Sequence, residues 1–245
     1  AASDVYKRQE LAGRYKLELD EKHISEALTY MVSNNNHSKK YRKEVWNTLV
    51  KKIANRELTV TFDGYYGSRI YINFIASEPI RWSDEVVFPG VQVRNSEDGS
   101  LGLGVDILTY RLKCMNGAIF HGRRLPIKVF YKHTRQLEDF DKESLAKCID
   151  EALSLSVKII KKYRLLAQKN TDGRIIEELM GKISKRYLPR ISRQESGELI
   201  LSRLNRWHLY NYITASIWHT PTDMATKRAL YDKLHRIMGL TQTKL

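Results

Sequence analysis

The chain is poor in the residues that cross-link or anchor a protein. Of its 245 residues only two are cysteines, Cys114 and Cys148, and five are prolines. Two thiols so far apart in sequence form neither a CxxC pair nor a disulfide framework. We therefore expect two reduced, packed thiols and a cytoplasmic setting. No apolar run approaches the roughly 20 residues that span a bilayer, so we expect no membrane partner.

Catalytic motifs are lacking as well. The seven histidines form no HxH or HExxH pattern, and neither GxxxxGK[ST] nor GxSxG occurs. Asp139 and Asp141 are a fragment of a metal-binding pattern, but capping of the following helix explains them. The sequence thus predicts no enzyme activity, no metal site and no cofactor, with a metal-dependent nuclease kept as an alternative.

Acidic residues are scarce relative to basic ones. Lysine and arginine number 42 against 28 aspartates and glutamates, which gives a formal net charge of +14. An excess of positive charge of this size indicates the kind of partner that the protein binds, but it does not indicate the fold. Phosphate backbones are the commonest such partner, so we expect a nucleic-acid-binding protein. A basic surface without a polyanionic partner, an anionic membrane surface and an acidic protein remain alternatives.

Hydrophobic periodicity divides the chain into three parts. The first predicts helices over 21–32 and 38–55. From Leu58 the period changes to two, which is typical of strands. The pattern predicts a hairpin of 58–62 with 70–74, with a turn at 64–67. It then predicts strands over 85–94, interrupted at Pro89-Gly90, over 103–114 and over 126–132, with turns at Asn95–Ser100 and Asn116-Gly117. After Asp139 it predicts helices over 141–168, 174–187 and 194–218, and a last helix that starts after Pro221 and ends at Gly239.

This order of elements predicts an α+β fold, an antiparallel β-meander flanked by helices with a C-terminal helical region. The first nine residues, AASDVYKRQ, resemble translated sequencing-adapter read-through, so we expect 1–19 to be an artefactual or disordered N-terminus. Residues 20–138 are predicted to form a helix pair plus the antiparallel sheet. Residues 139–245 are predicted to form a helical region that packs on the sheet within the same domain.

The basic charge is concentrated near the end of the predicted meander. From Arg111 to Arg135 there are seven basic residues and no acidic one. If the strands over 103–114 and 126–132 pair, alternation places basic side chains around Phe130 on one sheet face. Such a face suits a single strand, because cations follow the phosphates and a ring stacks on a base. The predicted nucleic-acid-binding residues are Arg111, Lys113, Arg123, Arg124, Lys128, Phe130 and Lys132. An ordinary solvated face is the alternative.

Two helical patches could extend this face. One comprises Lys39, Lys40, Arg42, Lys43, Lys51 and Lys52. The other, on the long helix over 141–168 and just after it, comprises Lys158, Lys161, Lys162, Arg164 and Lys169. Charge runs on helices are most often solvated faces, so each patch is a secondary candidate.

Two segments carry a family resemblance. GVQVRNSEDGSLGLGVDILTYRLKCMNGAIF (Gly90–Phe120) has an R-N-S-x-D-G-S turn that leads into a strand and then an Asn-Gly turn. NRWHLYNYIT (Asn205–Thr214) has a W-x-x-x-N-x-x-T pattern. Both resemble the phage/plasmid-like protein family that carries domain of unknown function 932 (DUF932). The residues that match are Arg94, Asn95, Ser96, Asp98, Gly99, Ser100, Cys114, Asn116, Gly117, Trp207, Asn211 and Thr214.

The resemblance implies a protein of phages, plasmids and other mobile elements in a bacterial host. Combined with the basic sheet face, it leads us to expect single-stranded DNA binding in replication or recombination, without catalysis and with possible homo-oligomers. Arg94 and Ser96 could contact a phosphate, although a turn that shapes the sheet explains the segment as well. The alternative function is a structural or regulatory mobile-element protein that binds another protein.

Overall fold

A computed structural model describes residues 58–66, 69–96, 100–101, 103–120, 130–131, 142–189 and 204–240. The predicted helices over 21–32 and 38–55 lie outside the described residues. Seven described strands form one sheet: β1 (Leu58–Tyr66), β2 (Arg69–Ala76), β3 (Ile80–Trp82), β4 (Glu85–Ser96), β5 (Leu103–Arg111), β6 (Asn116–Phe120) and β7 (Phe130–Tyr131). The helices are α1 (Lys142–Ala167), α2 (Gly173–Lys182), α3 (Arg206–His219) and α4 (Met224–Ile237), with a 3-10 turn at Lys185–Tyr187.

The sheet is antiparallel throughout its described pairs, with the order β1-β2-β4-β5-β6. Short strands add to it at two places, because β3 pairs with β4 and β7 pairs with β5. The predicted hairpin of β1 and β2 is present, with Val60 opposite Phe74, but β1 continues through Tyr66, where the sequence predicts a turn. An antiparallel sheet followed by a C-terminal helical region is an α+β fold, which confirms the predicted class.

The predicted break at Pro89-Gly90 is wrong. Strand β4 runs through both residues, with Pro89 opposite Thr109 and Gly90 opposite Leu108. Proline has no N–H to give to the sheet. A buried serine of α1 takes part in the ladder at this point: the Ser156 hydroxyl accepts from the Gly90 N–H at 3.2 Å and donates to the Leu108 carbonyl at 2.6 Å. The strand continues because a helix side chain satisfies these two backbone groups.

The predicted turn at Asn116-Gly117 is also misplaced. Strand β5 ends at Arg111, the chain turns over 112–115 with Met115 at φ 49°, and Asn116 opens β6 opposite Arg111. The Asn116 side-chain amide donates to the Thr214 hydroxyl at 2.9 Å, and both residues are buried. A side chain that looks like a turn former is thus a contact between the sheet and α3.

The C-terminal helices begin and end differently from the prediction. Helix α2 ends at Lys182, where the chain becomes extended before the 3-10 turn. Helix α3 begins at Arg206 with Asn205 as its N-cap, so no helix runs unbroken from 194. Helix α4 begins at Met224, because the Asp223 carboxylate caps it by accepting from the Thr226 N–H at 2.8 Å.

Helices pack against the sheet at two places. Helix α1 lies on β4 and β5, while α3 and α4 pack against β6. The Tyr231 hydroxyl donates to the carbonyl of Gly117 in β6 at 2.8 Å, which satisfies a sheet group from the helical side. The phenyl ring of Phe120 stacks on the imidazole of His235, with ring centroids 3.6 Å apart.

A buried chain of hydroxyls joins the helices to the sheet. The Tyr163 hydroxyl lies 2.8 Å from the Thr109 hydroxyl and 3.1 Å from the Tyr210 hydroxyl, which lies 3.0 Å from His235 Nε2. Burial raises the pKa of Tyr163 and the pKa of Tyr210 above the ordinary tyrosine value. Both phenols therefore stay protonated in the folded protein at a pH that ionises them in the unfolded chain.

We expect this chain of hydroxyls to make the fold sensitive to alkali. Because the pKa of each phenol is raised in the folded protein, the free energy of unfolding is unaffected below about pH 10. Above about pH 10 it falls by ~1.4 kcal/mol per pH unit for each phenol. Urea unfolding at pH 9, 10 and 11 measures this slope. Tyr163→Phe removes one of the two buried phenols and should therefore reduce the slope by ~1.4 kcal/mol per pH unit relative to the wild-type protein. A slope equal to that of the wild type would contradict the assignment.

Candidate nucleic-acid interface

Arg111 does not lie on a solvated sheet face as predicted. Its side chain is 9% exposed, and its guanidinium holds the carboxylate of Glu85 through two hydrogen bonds, both of 2.5 Å. Glu85, at the start of β4, is buried too. The two strands that bring these residues together are paired, with Val87 opposite Arg111. Arg111 is therefore committed to an internal ion pair and is not available to a phosphate.

The remaining contacts of Arg111 reinforce this internal role. Its Nη1 donates to Cys114 Sγ at 2.8 Å, and its guanidinium carbon lies 5.8 Å from the ring centroid of Trp207 in α3. Burial by itself lowers the pKa of Arg111, but the hydrogen bonds and charge of Glu85 outweigh burial and the pKa is raised. The arginine thus joins the β-meander to the first turn of α3.

Among the described members of the predicted sheet face, Lys113 lies in solvent. Its ammonium forms an ion pair with Asp84, and both side chains are more than half exposed. The hydrogen bond and the charge of Lys113 lower the pKa of the Asp84 carboxyl. An exposed pair of this kind contributes little to stability. Its acidic partner also cancels the charge that Lys113 would offer to a phosphate.

Arg94 faces the other side of the sheet. In register with β5 and β2, it shares a face with Asp106, Gln92 and Asn73. Its Nε donates to Asp106 at 3.0 Å, and Arg228 of α4 reaches the same carboxylate, with Nη2 3.1 Å from Oδ1. Gly104 makes room for this arrangement, because a Cβ at that position would lie 2.5 Å from the Arg94 guanidinium.

The described residues of the segment from Arg94 to Ser100 form hydrogen bonds within the protein. The buried Ser96 hydroxyl bonds both the carbonyl and the N–H of Leu101 at 2.8 Å. The Arg69 side chain donates to the Ser100 hydroxyl at 3.1 Å. Arg94 and Ser96, which the sequence left as candidates for a phosphate contact, both have internal partners in the structure.

Phe130 is separated from the basic residues it was expected to accompany. Strand β7 pairs with the first residues of β5, so that Phe130 lies opposite Gly104, while Arg111 is the last residue of β5. At about 3.3 Å per residue this puts them roughly 23 Å apart along the strand. The described residues therefore do not bring together the predicted face. Its other members, Arg123, Arg124, Lys128 and Lys132, lie outside the described residues.

The secondary candidate on the long helix has a different outcome. Between Ala152 and Thr171 the sequence has five basic residues and no acidic one. Apolar residues of α1 such as Leu155, Ile159 and Ile160 are buried against the sheet. The basic side chains lie on the outside: Lys158, Lys161, Arg164 and Lys169 are exposed and Lys162 is half-buried.

A neighbouring strand extends this patch. The Arg164 guanidinium donates to the carbonyl of Arg81 in β3 at 3.1 Å, and it lies 5.7 Å from the ring centroid of Trp82. Arg81 is itself exposed. We call this group of residues the basic helix surface; it comprises Arg81, Trp82, Lys158, Lys161, Lys162, Arg164 and Lys169. Within α1, no acidic residue occurs between Ala152 and Ala167.

Sequence reasoning identified the helical members of this surface and missed Arg81 and Trp82. Strand β3 has three residues, too few for a period of two to stand out. The available signal was the Arg-Trp pair itself, a cation beside an aromatic ring. Only the packing of β3 beside α1 places that pair next to Arg164.

The described part of the chain also bears on metal binding and on membrane insertion. Among the described residues, no group of three or more histidines, cysteines, aspartates and glutamates is placed so that it could hold a metal ion. Among the helices that the structure describes, none combines the length and apolar character needed to cross a membrane. Comparisons of the chain with protein-family models, with curated proteins and with solved structures give no match.

Proposed function

We propose that this α+β protein binds nucleic acid, with a preference for single-stranded DNA, and catalyses no reaction on it. The observation that carries the proposal is the basic helix surface, which presents exposed cations without an intervening acid on a chain of net charge +14. Cations spaced along a helix can follow a phosphate backbone, and the release of counterions drives such binding. The nearby aromatic ring favours a single strand over a duplex.

The family resemblance supports the biological setting of this proposal. Similarity of Gly90–Phe120 and Asn205–Thr214 to the DUF932 family suggests a phage or plasmid protein in the cytoplasm of a bacterial host. Single-strand binding in replication or recombination suits such an element. Homo-oligomers on the strand are part of the same proposal.

Charge reversal on α1 tests the interface. We expect Lys158→Glu with Lys161→Glu to weaken binding to a labelled single-stranded oligonucleotide by at least about tenfold (~1.4 kcal/mol). The plot of log affinity against log salt should become shallower by about 1.4, since two phosphate contacts are lost at ~0.7 each. Fluorescence anisotropy across a salt series, with single-stranded and duplex DNA, measures both quantities.

A matched variant controls for net charge. Lys185→Glu with Lys233→Glu makes the same change in charge at exposed positions on other segments, and it should retain most of the wild-type affinity. Equal losses in both double variants would show that binding depends on overall charge and not on this surface. Absence of salt-sensitive binding in the wild-type protein would refute the proposed function and redirect the search to protein partners.

A further inference from the structure

Trp82 occupies an unusual position at the edge of the basic helix surface. It is the last residue of β3 and is half-buried. Its indole contacts the indole of Trp207, with centroids 5.5 Å apart and planes tilted by 56°. The Arg164 guanidinium covers it from α1 at 5.7 Å. The ring is thus held by the core through one contact and covered by a surface cation through another.

The Arg164 side chain can be displaced from the Trp82 ring. Arg164 is exposed, and its contacts given by the structure are the ring of Trp82 and one hydrogen bond to the Arg81 carbonyl. An exposed cation–π contact is weak. A phosphate offers the same guanidinium a charge-assisted, bidentate partner, which is a stronger interaction. A phosphate backbone bound along α1 would therefore compete with the ring of Trp82 for the Arg164 guanidinium.

We infer that Trp82 is the platform on which a base of the single strand stacks, in the place that the Arg164 guanidinium occupies in the free protein. The inference rests on the proposed function and assigns the single-strand preference to one residue. A duplex presents its bases already paired and stacked, so it offers no free base face to the ring. The lysines of the surface then supply affinity for any phosphate backbone, and Trp82 supplies selectivity.

The geometry gives this division of roles a physical basis. The contact with Trp207 and the packing of β3 on β4 hold the indole in place before the strand binds. A ring that is already ordered loses little conformational entropy on stacking. Arg81, exposed beside it, and Lys161, exposed on α1, can accompany the phosphates that flank the stacked base.

Replacing the ring separates selectivity from affinity. We expect Trp82→Ala to weaken binding to an oligothymidine by about 5- to 150-fold, the equivalent of ~1–3 kcal/mol per stacked base. Its salt dependence and its affinity for duplex DNA should stay as in the wild type, because no phosphate contact is lost. Trp82→Phe keeps a ring and should recover most of the single-strand affinity. Anisotropy titrations of the full chain, with thermal unfolding as a check of folding, provide these data.

A second measurement does not depend on the variant's folding. The wild-type chain is irradiated with an oligonucleotide that carries 5-iodouracil, and the crosslinked peptides are identified by mass spectrometry. Crosslinks at Trp82 are expected. Crosslinks confined to other aromatic residues, or full single-strand affinity in folded Trp82→Ala, would overturn the inference. In that case the proposed function still stands if Lys158→Glu with Lys161→Glu weakens binding as expected. A wild-type chain that binds no single strand would instead remove the proposed function and this inference together.

Discussion

Arg111→Leu is expected to lower the free energy of unfolding by about 3–5 kcal/mol, the usual cost of leaving one partner of a buried ion pair without its counter-charge. The carboxylate of Glu85 would remain buried and lose both of its 2.5 Å hydrogen bonds to the guanidinium. The contact of Arg111 with the Trp207 ring would be lost as well. Urea unfolding at neutral pH, followed by tryptophan fluorescence, measures the difference.

Two further variants show whether the charge causes this loss. Arg111→Leu combined with Glu85→Leu removes both charges and should regain a large part of the lost stability, because a buried pair can be replaced by apolar residues at little cost. Lys113→Leu breaks the exposed pair with Asp84 and should change stability by less than about 1 kcal/mol. A double variant as unstable as Arg111→Leu alone would show that packing, and not charge, makes Arg111 important.

Asp106→Asn is expected to cost about 3 kcal/mol or more, the scale of removing one member of a buried charge network. The replacement keeps the shape of the side chain but withdraws the anion from two guanidiniums, those of Arg94 and Arg228. All three side chains are at most 12% exposed. The loss should weaken the connection between α4 and β5, since it links Asp106 and Arg228, two residues 122 positions apart in sequence.

The control is an ion pair of the same residue types in solvent. Asp232 pairs with Arg236 one helical turn away on α4, and Asp232→Asn should change the free energy of unfolding by less than about 1 kcal/mol. Amide hydrogen exchange adds a local reading, because Asp106→Asn should increase exchange in α4 more than in α1. If exchange rises equally throughout, the carboxylate contributes to the whole fold and does not specifically fasten α4.

Much of the sheet could be predicted because its signals are local. The alternation at 58–62 and 70–74 predicted the hairpin that the structure contains, although its strands extend farther, over Leu58–Tyr66 and Arg69–Ala76. Helix α1 was predicted to within a residue at each end, since its apolar stripe repeats along many turns. Errors fell at Pro89-Gly90 and Asn116-Gly117, where a side chain of α1 or α3 satisfies or contacts residues that would otherwise favour a turn.

Arg111 does not lie on the solvated face that alternation predicted, and Arg94 also has an internal partner, for a single physical reason. An alternating polar position is normally read as a solvent-facing one, but here polar residues on both faces of the sheet are buried. On one face Arg111 is neutralised by Glu85, and on the other Arg94 is neutralised by Asp106. Each partner lies on a neighbouring strand, and register alone brings it into contact.

By itself, the sequence determined the class of fold, the excess of positive charge and the amphipathic pattern of α1, because these depend on composition and on short-range periodicity. It did not determine which cations remain available to a partner. Tertiary structure decided that, since strand pairing buries Arg111 and Arg94 against acids, while packing of α1 leaves Lys158 and Lys161 in solvent. It also placed Trp82 beside Arg164, a contact between residues far apart in the chain that no local pattern encodes.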